Sequence, residues 1–214
     1  MPIPFTTCIC TTALLVFLHT CVAQYRVVPG DTDENGCSGN HPAQLCFDHP
    51  GAQDCYALPN DKNFIFGLGP KAQPIGKWKN QPLILLSATF SGCGSGTLTE
   101  FALLTSINGK IKNLLPRIEL TDQSEYRLWN LPPVSKLPVL VTADFVWDFN
   151  AGETHFGSHH YRVAAYVFNP YTGGYVQRVS FVTARRYSGE DASEPIRVLA
   201  SEKPKILAKL TAAH

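Results

Sequence analysis

Six apolar runs of strand length, separated by turn residues, occupy the chain from residue 82 to residue 185. Two of them flank Asn108-Gly109, the strongest short-range hairpin signal, because both residues tolerate a positive φ. Sixteen Gly and sixteen Pro among 214 residues also favour short elements joined by turns. The sequence therefore predicts an all-β fold of antiparallel meanders, with strands over 83–90, 98–107, 110–118, 139–149, 161–168 and 175–185.

The two halves of this region resemble each other. An apolar strand that begins at Pro82 leads into a Gly-rich loop, a second strand, an Asn-initiated turn and a third strand. The same order begins again at Pro138, about 56 residues later. This internal similarity predicts one meander unit used twice, arranged as a sandwich or as part of a propeller.

The second unit, residues 138–185, resembles a blade of the FG-GAP or VCBS type of β-propeller, in which an apolar strand, a loop, a strand ending in aromatics and a Gly turn recur. The D-x-D-G-D-G calcium loop of those repeats is missing here. The resemblance therefore implies antiparallel β structure, and it carries over neither calcium ligands nor an activity.

The segments on either side of the apolar runs have a different character. Residues 24–80 are rich in Gly, Pro, Asn and Asp with little sustained periodicity, which predicts a loop-rich N-terminal lobe before a β body over 81–200. Residues 201–214 have apolar positions at helical spacing, and Ser201 and Glu202 stand where the N-terminal cap of a helix would lie. They predict a short C-terminal helix that packs on the sheet, and we expect residues 24–214 to form one domain.

The first 23 residues contain no Asp, Glu, Lys or Arg, and their apolar core, 13–18, is far shorter than the roughly 20 residues that span a bilayer. Cys21-Val22-Ala23 places small residues at the positions that signal peptidase accepts. This pattern predicts a signal peptide cleaved after Ala23, although no Lys or Arg precedes the core, and a secreted or periplasmic protein without a transmembrane segment. His19-Thr20 disfavour a lipid anchor at Cys21, because such sites prefer small residues.

Cleavage of the leader leaves four cysteines, Cys37, Cys46, Cys55 and Cys93. Their spacing lacks the C-x2-C pairs of a structural zinc site, and export favours disulfides. Four cysteines allow three connectivities. The Pro-Gly turn between Cys46 and Cys55 favours a bridge between these two, which leaves Cys37 to pair with Cys93.

The formal net charge of +1, with no block of like charge, argues against nucleic-acid binding. We expect a monomeric or weakly associating protein whose partner is another protein or a small molecule.

The histidine-rich stretch from 144 to 161 is the best candidate for a site, because it holds three of the six histidines of the mature chain. Strand alternation places the apolar residues from Val139 to Phe149 on one face, with Asp144 and Asp148 on the other. Residues four apart on a strand are about 13 Å apart, so these two carboxylates are too distant to bind one ion. The residues expected to contact a ligand at this tip are Trp147, Phe156, Tyr161 and Arg162.

The same tip offers ligands for a divalent metal, and a set of imidazoles and carboxylates suits zinc. The candidate metal ligands are Asp148, Glu153, His155, His159 and His160, with one of the last two completing the set. The spacing does not match H-E-x-x-H, so hydrogen-bonded structural histidines are the alternative.

A second candidate metal site runs from Asp31 to Gly36, which matches the first half of an EF-hand calcium loop. Pro42 stands where that loop requires its bidentate Glu. The sequence therefore favours a solvent-exposed turn built by Asp and Asn side chains, with weak calcium binding as the alternative.

Three functions are compatible with these features. The favoured hypothesis is a binding protein that recognises another molecule at the tip formed by 148–160. The alternatives are a metal-dependent hydrolase centred on the same tip and a structural accessory protein of the envelope or cell surface. The stretch around Trp147 also resembles segments of exported bacterial proteins, which implies export and no particular activity.

Overall fold

The computed structural model describes residues 24–49, 52–59, 64–93, 96–121, 123–148, 157–188 and 197–212. These residues form an all-β fold of antiparallel sheets with a short C-terminal helix, which confirms the predicted fold class. The predicted leader, 1–23, and the centre of the predicted tip, 149–156, lie outside the described residues.

Thirteen strands and one helix follow one another along the described chain. They are β1 (Gln24–Val28), β2 (Gln44–His49), β3 (Ala52–Ala57), β4 (Leu68–Trp78), β5 (Gln81–Ser91), β6 (Thr97–Ile107), β7 (Lys110–Asn113), β8 (Ile118–Thr121), β9 (Glu125–Trp129), β10 (Val139–Val146), β11 (Ser158–Asn169), β12 (Gly174–Val182), β13 (Tyr187–Ser188) and α1 (Val198–Ala212).

The strands form three antiparallel sheets. The N-terminal sheet has the order β1-β2-β3, and the central sheet has the order β4-β5-β6-β7 with β8 paired to β6. The C-terminal sheet has the order β12-β11-β10-β9 with β13 paired to β11. Most neighbours in the sheets are also neighbours in sequence, as expected for meanders.

The central sheet is buried on both faces. Residues 83–88 of β5 are all buried, so its apolar run is continuous and does not alternate with polar residues. One face, with Leu83 and Leu85, packs on the C-terminal sheet at Leu140. The opposite face, with Ile84 and Leu86, packs on the N-terminal sheet. The outer face of the C-terminal sheet is covered by α1, so the molecule has four layers.

The Asn108-Gly109 hairpin forms as predicted. Ile107 pairs with Lys110, and the two turn residues have φ values of 53° and 75°. Positive φ at both central positions matches the twist of the two strands that the turn joins.

The predicted strand over 110–118 is wrong, because the chain leaves the sheet after β7 and returns as β8. The side-chain oxygen of Asn113 accepts hydrogen bonds from Leu103 N at 3.0 Å and from Leu115 N at 3.1 Å. Pro116 cannot donate a ladder hydrogen bond, so it falls in the gap between the two strands.

Residues 24–80 contain more regular structure than the sequence predicts, since β1 to β4 all lie there. The 11-residue strand β4 carries Pro70 and Pro74, and its register with β5 shifts at two places. Proline is tolerated on an edge strand, and these interruptions remove the alternation that would reveal a strand in the sequence.

The C-terminal helix begins at Val198, three residues before the predicted start. The backbone N–H of Leu199 donates to the Glu125 carboxylate of β9 at 3.0 Å, so the cap comes from another strand. Ser201 and Glu202, the predicted cap, instead accept hydrogen bonds from Arg185 and Tyr187.

Two disulfides join the N-terminal region. Cys46 faces Cys55 across β2 and β3, and Cys37 pairs with Cys93 just after β5, which is the connectivity favoured from the sequence. Disulfides of this kind indicate an oxidising environment outside the cytoplasm. In the part of the chain described here, no helix is both long and apolar enough to span a membrane.

The two disulfides are expected to differ in their effect on stability. The chain-entropy estimate is about 4 kcal/mol for the bridge that closes the longer loop and about 2.7 kcal/mol for the shorter one. We therefore expect the double variant Cys37→Ala/Cys93→Ala to lose more free energy of unfolding in urea than Cys46→Ala/Cys55→Ala. Equal losses, or the reverse order, would contradict the idea that loop closure dominates.

Candidate ligand-binding cleft

The described part of the predicted tip holds two histidines on opposite faces of β11. His159 is fully buried, and its ring centroid lies 4.9 Å from that of Phe145 and 5.4 Å from that of Trp147. His160 points to the other face, where its Nδ1 lies 2.8 Å from the carbonyl oxygen of Thr183. Consecutive strand residues face opposite ways, so at most one of these imidazoles can belong to a single metal site.

The metal hypothesis itself stays a prediction, because Glu153 and His155 lie outside the described residues. Among the described residues, the group of three potential ligands that lie together is Asp33, Cys37 and Cys93. The two cysteines of that group form a disulfide, which removes both thiolates as ligands.

The structure separates the residues predicted to contact a ligand at the tip. Tyr161 is fully buried and packs edge-on against Tyr187 at 5.9 Å, so it is a core residue rather than a contact residue. Trp147 is half-buried beside His159, and Arg162 is exposed. Phe156 lies outside the described residues.

Asp144 links the two large sheets. One of its carboxylate oxygens accepts hydrogen bonds from Thr121 of β8, at 3.0 Å from the backbone nitrogen and 2.5 Å from the hydroxyl. Burial raises the pKa of this carboxyl above its usual value, and the hydrogen bonds from Thr121 and the charge of Arg162 oppose that rise.

The predicted calcium segment forms a turn whose carboxylates are used by the protein. Asp33 Oδ1 accepts hydrogen bonds from the backbone nitrogens of Asn35 and Cys37, both at 2.9 Å. Asp31 accepts from the backbone and ring nitrogens of His41, and these hydrogen bonds lower the pKa of its carboxyl. This pattern is that of a turn built by Asp side chains, the interpretation favoured from the sequence.

An open cavity among the described residues lies at the other end of the C-terminal sheet. β11 runs from Ser158 near the predicted tip to Asn169 at this cavity, a span of about 36 Å for an extended strand. The cavity, here called the main cleft, has a volume of about 720 Å³. It is lined by Lys77, Trp78, Lys79, Pro132, Pro133, Val134, Ser135, Lys136, Leu137, Val167, Phe168, Asn169, Pro170, Tyr171, Val176 and Arg178.

A smaller cavity of about 500 Å³, here called the side cleft, adjoins the main cleft. The two share four lining residues, Trp78, Lys79, Pro170 and Tyr171. The side cleft is completed by Ile107, Lys110, Ile111, Lys112, Thr172 and Gly173. The two spaces therefore meet at the turn between β11 and β12.

The charges around both cavities have one sign. The cationic lining residues are Lys77, Lys79, Lys110, Lys112, Lys136 and Arg178. As far as the structure describes the lining, it includes no Asp or Glu, and none of the five lysines forms an ion pair with a described carboxylate. A cavity bordered by one sign of charge concentrates the field and attracts anions.

Two tight turns position the aromatic and cationic groups. Between β4 and β5, Lys79 and Asn80 have φ values of 50° and 63°, as a two-residue hairpin turn requires. A positive φ is uncommon for Lys, and such residues cluster at functional sites. The turn places Lys79 Nζ 4.8 Å from the centroid of the Trp78 ring.

The turn between β11 and β12 is held by several contacts. Asn169 accepts hydrogen bonds from the backbone nitrogens of Tyr171 and Gly173, both at 2.9 Å. Lys112 Nζ donates to Gly173 O at 3.2 Å. Gly173 has a φ of 63°, and a Cβ there would lie 3.4 Å from the Trp78 ring, so the turn packs closely on that indole. Tyr171, 98% exposed, thus stands on a well-anchored turn.

This cleft was not predicted from the sequence, although signals for it exist. Trp78 packs edge-on against Phe168 at 5.4 Å and also lines both cavities. The signal was the alternation Lys77-Trp78-Lys79 before a turn residue, together with Tyr171 in the middle of a turn where no strand buries it. The convergence of Lys136 on these residues has no sequence signal.

Comparison with known proteins finds no relationship that assigns a function. No protein-family model matches the chain, and neither the curated proteins nor the solved structures give a match.

Replacement of Asp144 tests its role as a link between sheets. Asp144→Ala removes the acceptor of two hydrogen bonds, and we expect a loss of about 1–3 kcal/mol in the free energy of unfolding. Asp144→Asn keeps an acceptor oxygen and removes the partly buried charge, so its loss at pH 7 should be smaller.

A comparison of Asp144→Asn with the wild type also tests the pKa of Asp144. Because the folded pKa lies above the unfolded value, the folded state holds the proton more tightly. The contribution of Asp144 to stability therefore falls as the pH rises from the unfolded value of about 3.8 through the raised folded pKa. Urea unfolding at a series of pH values should show Asp144→Asn gaining stability relative to the wild type across that range. A constant difference between the two proteins would contradict the raised pKa.

Proposed function

We propose that this protein is an extracytoplasmic binding protein that recognises an anionic ligand in the main cleft. The observation that carries the proposal is the set of cationic side chains around a preformed cavity without a described carboxylate in its lining. The two disulfides support a location outside the cytoplasm.

The shape and composition of the main cleft suit a ligand. Its volume of about 720 Å³ falls within the range of small-molecule sites, about 300–1,000 Å³. Apolar groups such as Val134, Leu137 and Phe168 line it together with a few polar ones. Such a mixture supplies apolar contact area, while the cations orient the negative groups of the ligand.

The described residues give more support for recognition at the cleft than at the predicted tip. Of the described residues at and next to the tip, His159 and Tyr161 are buried, whereas Asp148 and Arg162 are exposed and carry opposite charges. At the cleft, the exposed charges are all positive and stand beside an exposed aromatic ring.

Sucrose octasulfate, a compact polyanion, is a suitable probe, with unsulfated sucrose as its neutral counterpart. We expect saturable binding of the sulfated sugar alone, followed by calorimetry, and weaker binding as the salt concentration rises. The triple variant Lys77→Gln/Lys79→Gln/Lys136→Gln should lose affinity by about tenfold or more, since each exposed charge pair contributes up to about 1 kcal/mol.

The helix α1 provides a matched control. Its three exposed lysines, Lys203, Lys205 and Lys209, lie on the face of the C-terminal sheet that α1 covers, near Trp129 and Phe181. Replacing these three with Gln removes the same total charge as the cleft variant. Equal losses of affinity in the two triple variants would show that binding reflects net charge alone and would overturn the proposal.

A further inference from the structure

The two clefts together form a path longer than a single small ligand needs. Their linings share Trp78, Lys79, Pro170 and Tyr171, so the two clefts adjoin at these residues. Their volumes of about 720 and 500 Å³ are each large enough for part of a ligand. The arrangement therefore fits an extended molecule.

The cations are spread along this path rather than gathered at one point. Lys136 and Arg178 border the main cleft, Lys79 stands at the junction, and Lys110 and Lys112 border the side cleft. A single small anion is bound by cations gathered around one point. A ligand with repeated negative charges contacts cations that are spaced along its length. The distribution thus matches a linear polyanion.

The junction offers an apolar ring rather than another charge. Tyr171 is 98% exposed on an anchored turn, and an aromatic face covers apolar area at a low cost in conformational entropy. Sugar rings present a flat face of C–H groups that stacks on such a ring. A charged sugar chain therefore satisfies both the cations and the tyrosine.

The aromatic arrangement argues against single-stranded nucleic acid. Nucleic-acid grooves stack successive bases on several accessible rings. Here Trp78 is half-buried, with Phe168 against it on one side and Gly173 close by, so Tyr171 is the exposed ring of the described lining. The disulfides also indicate a location outside the cytoplasm, where acidic glycans are common polyanions.

We infer that the ligand is a linear acidic glycan, with carboxylate- or sulfate-bearing sugar rings, that spans both clefts across Tyr171. This inference rests on the proposed function, because the main cleft is the same site. Part of the chain occupies the main cleft, Tyr171 stacks on a ring at the junction, and the continuing chain meets Lys110 in the side cleft.

Oligogalacturonates of two lengths, about two and about eight sugar units, test the span, because linked subsites raise affinity beyond that of either alone. By calorimetry, we expect the long oligomer to bind at least about tenfold more tightly than the short one. Dextran sulfate oligomers of the same lengths distinguish sulfate from carboxylate recognition, and either series with this length dependence supports the inference.

Variants at the junction and in the side cleft give a sharper test. Lys110→Gln should weaken binding of the long oligomer several-fold and leave the short one nearly unchanged, because Lys110 borders only the side cleft. Tyr171→Ala, at the junction, should weaken the long oligomer several-fold and the short one less. Tyr171→Phe keeps the ring and should bind like the wild type. Val182→Ala, at the other large hydrophobic residue that is exposed among the described residues, is the matched control and should have no effect.

Several outcomes would overturn the inference. If both lengths bind equally, or if Tyr171→Ala binds the long oligomer as well as the wild type does, the ligand does not span the junction. Tighter binding of a single-stranded oligonucleotide or an acidic peptide of matched charge would assign the site to that class instead. If sucrose octasulfate binds through the lysines but the long and short oligomers bind with equal affinity, the proposed function is supported and this inference fails. If no anion binds, both fail.

Discussion

The structure depends on the burial of both faces of the central sheet. Leu83 and Leu85 of β5 point to one side and Ile84 and Leu86 to the other, so neither face can be left to water. The C-terminal sheet covers the first face and the N-terminal sheet covers the second. Each covering layer then needs support of its own, which α1 gives to one and the disulfides give to the other.

This layering also explains how the candidate site is assembled. The β4–β5 turn, the start of β7, the segment before β10 and the β11–β12 turn all emerge at one end of the packed sheets. Lys79, Lys136 and Arg178 are far apart in the sequence, and they meet because the two large sheets are stacked. The cleft is therefore a product of sheet packing, whereas a loop site such as the predicted tip is a product of one segment.

Most strands of the β body follow from the sequence because apolar runs and turn residues act locally. The hairpin at Asn108-Gly109 is such a case, since the turn residues determine its geometry. The gap between β7 and β8 depends on the contact of Asn113 with the neighbouring strand, and the start of α1 depends on Glu125 of β9. Neither contact has a signature in the local sequence, so these boundaries were wrong.

The fold class, the approximate positions of most strands of the β body and the favoured pairing of the four cysteines could be predicted from the amino-acid chain alone, because hydrophobic periodicity, turn chemistry and loop length are properties of the chain. The burial of His159 and Tyr161, and the position of Trp78, Lys136 and Tyr171 around one cleft, follow from the packing of the sheets. Burial and the convergence of charge depend on which sheet faces are stacked together, and residues distant in the sequence determine that stacking.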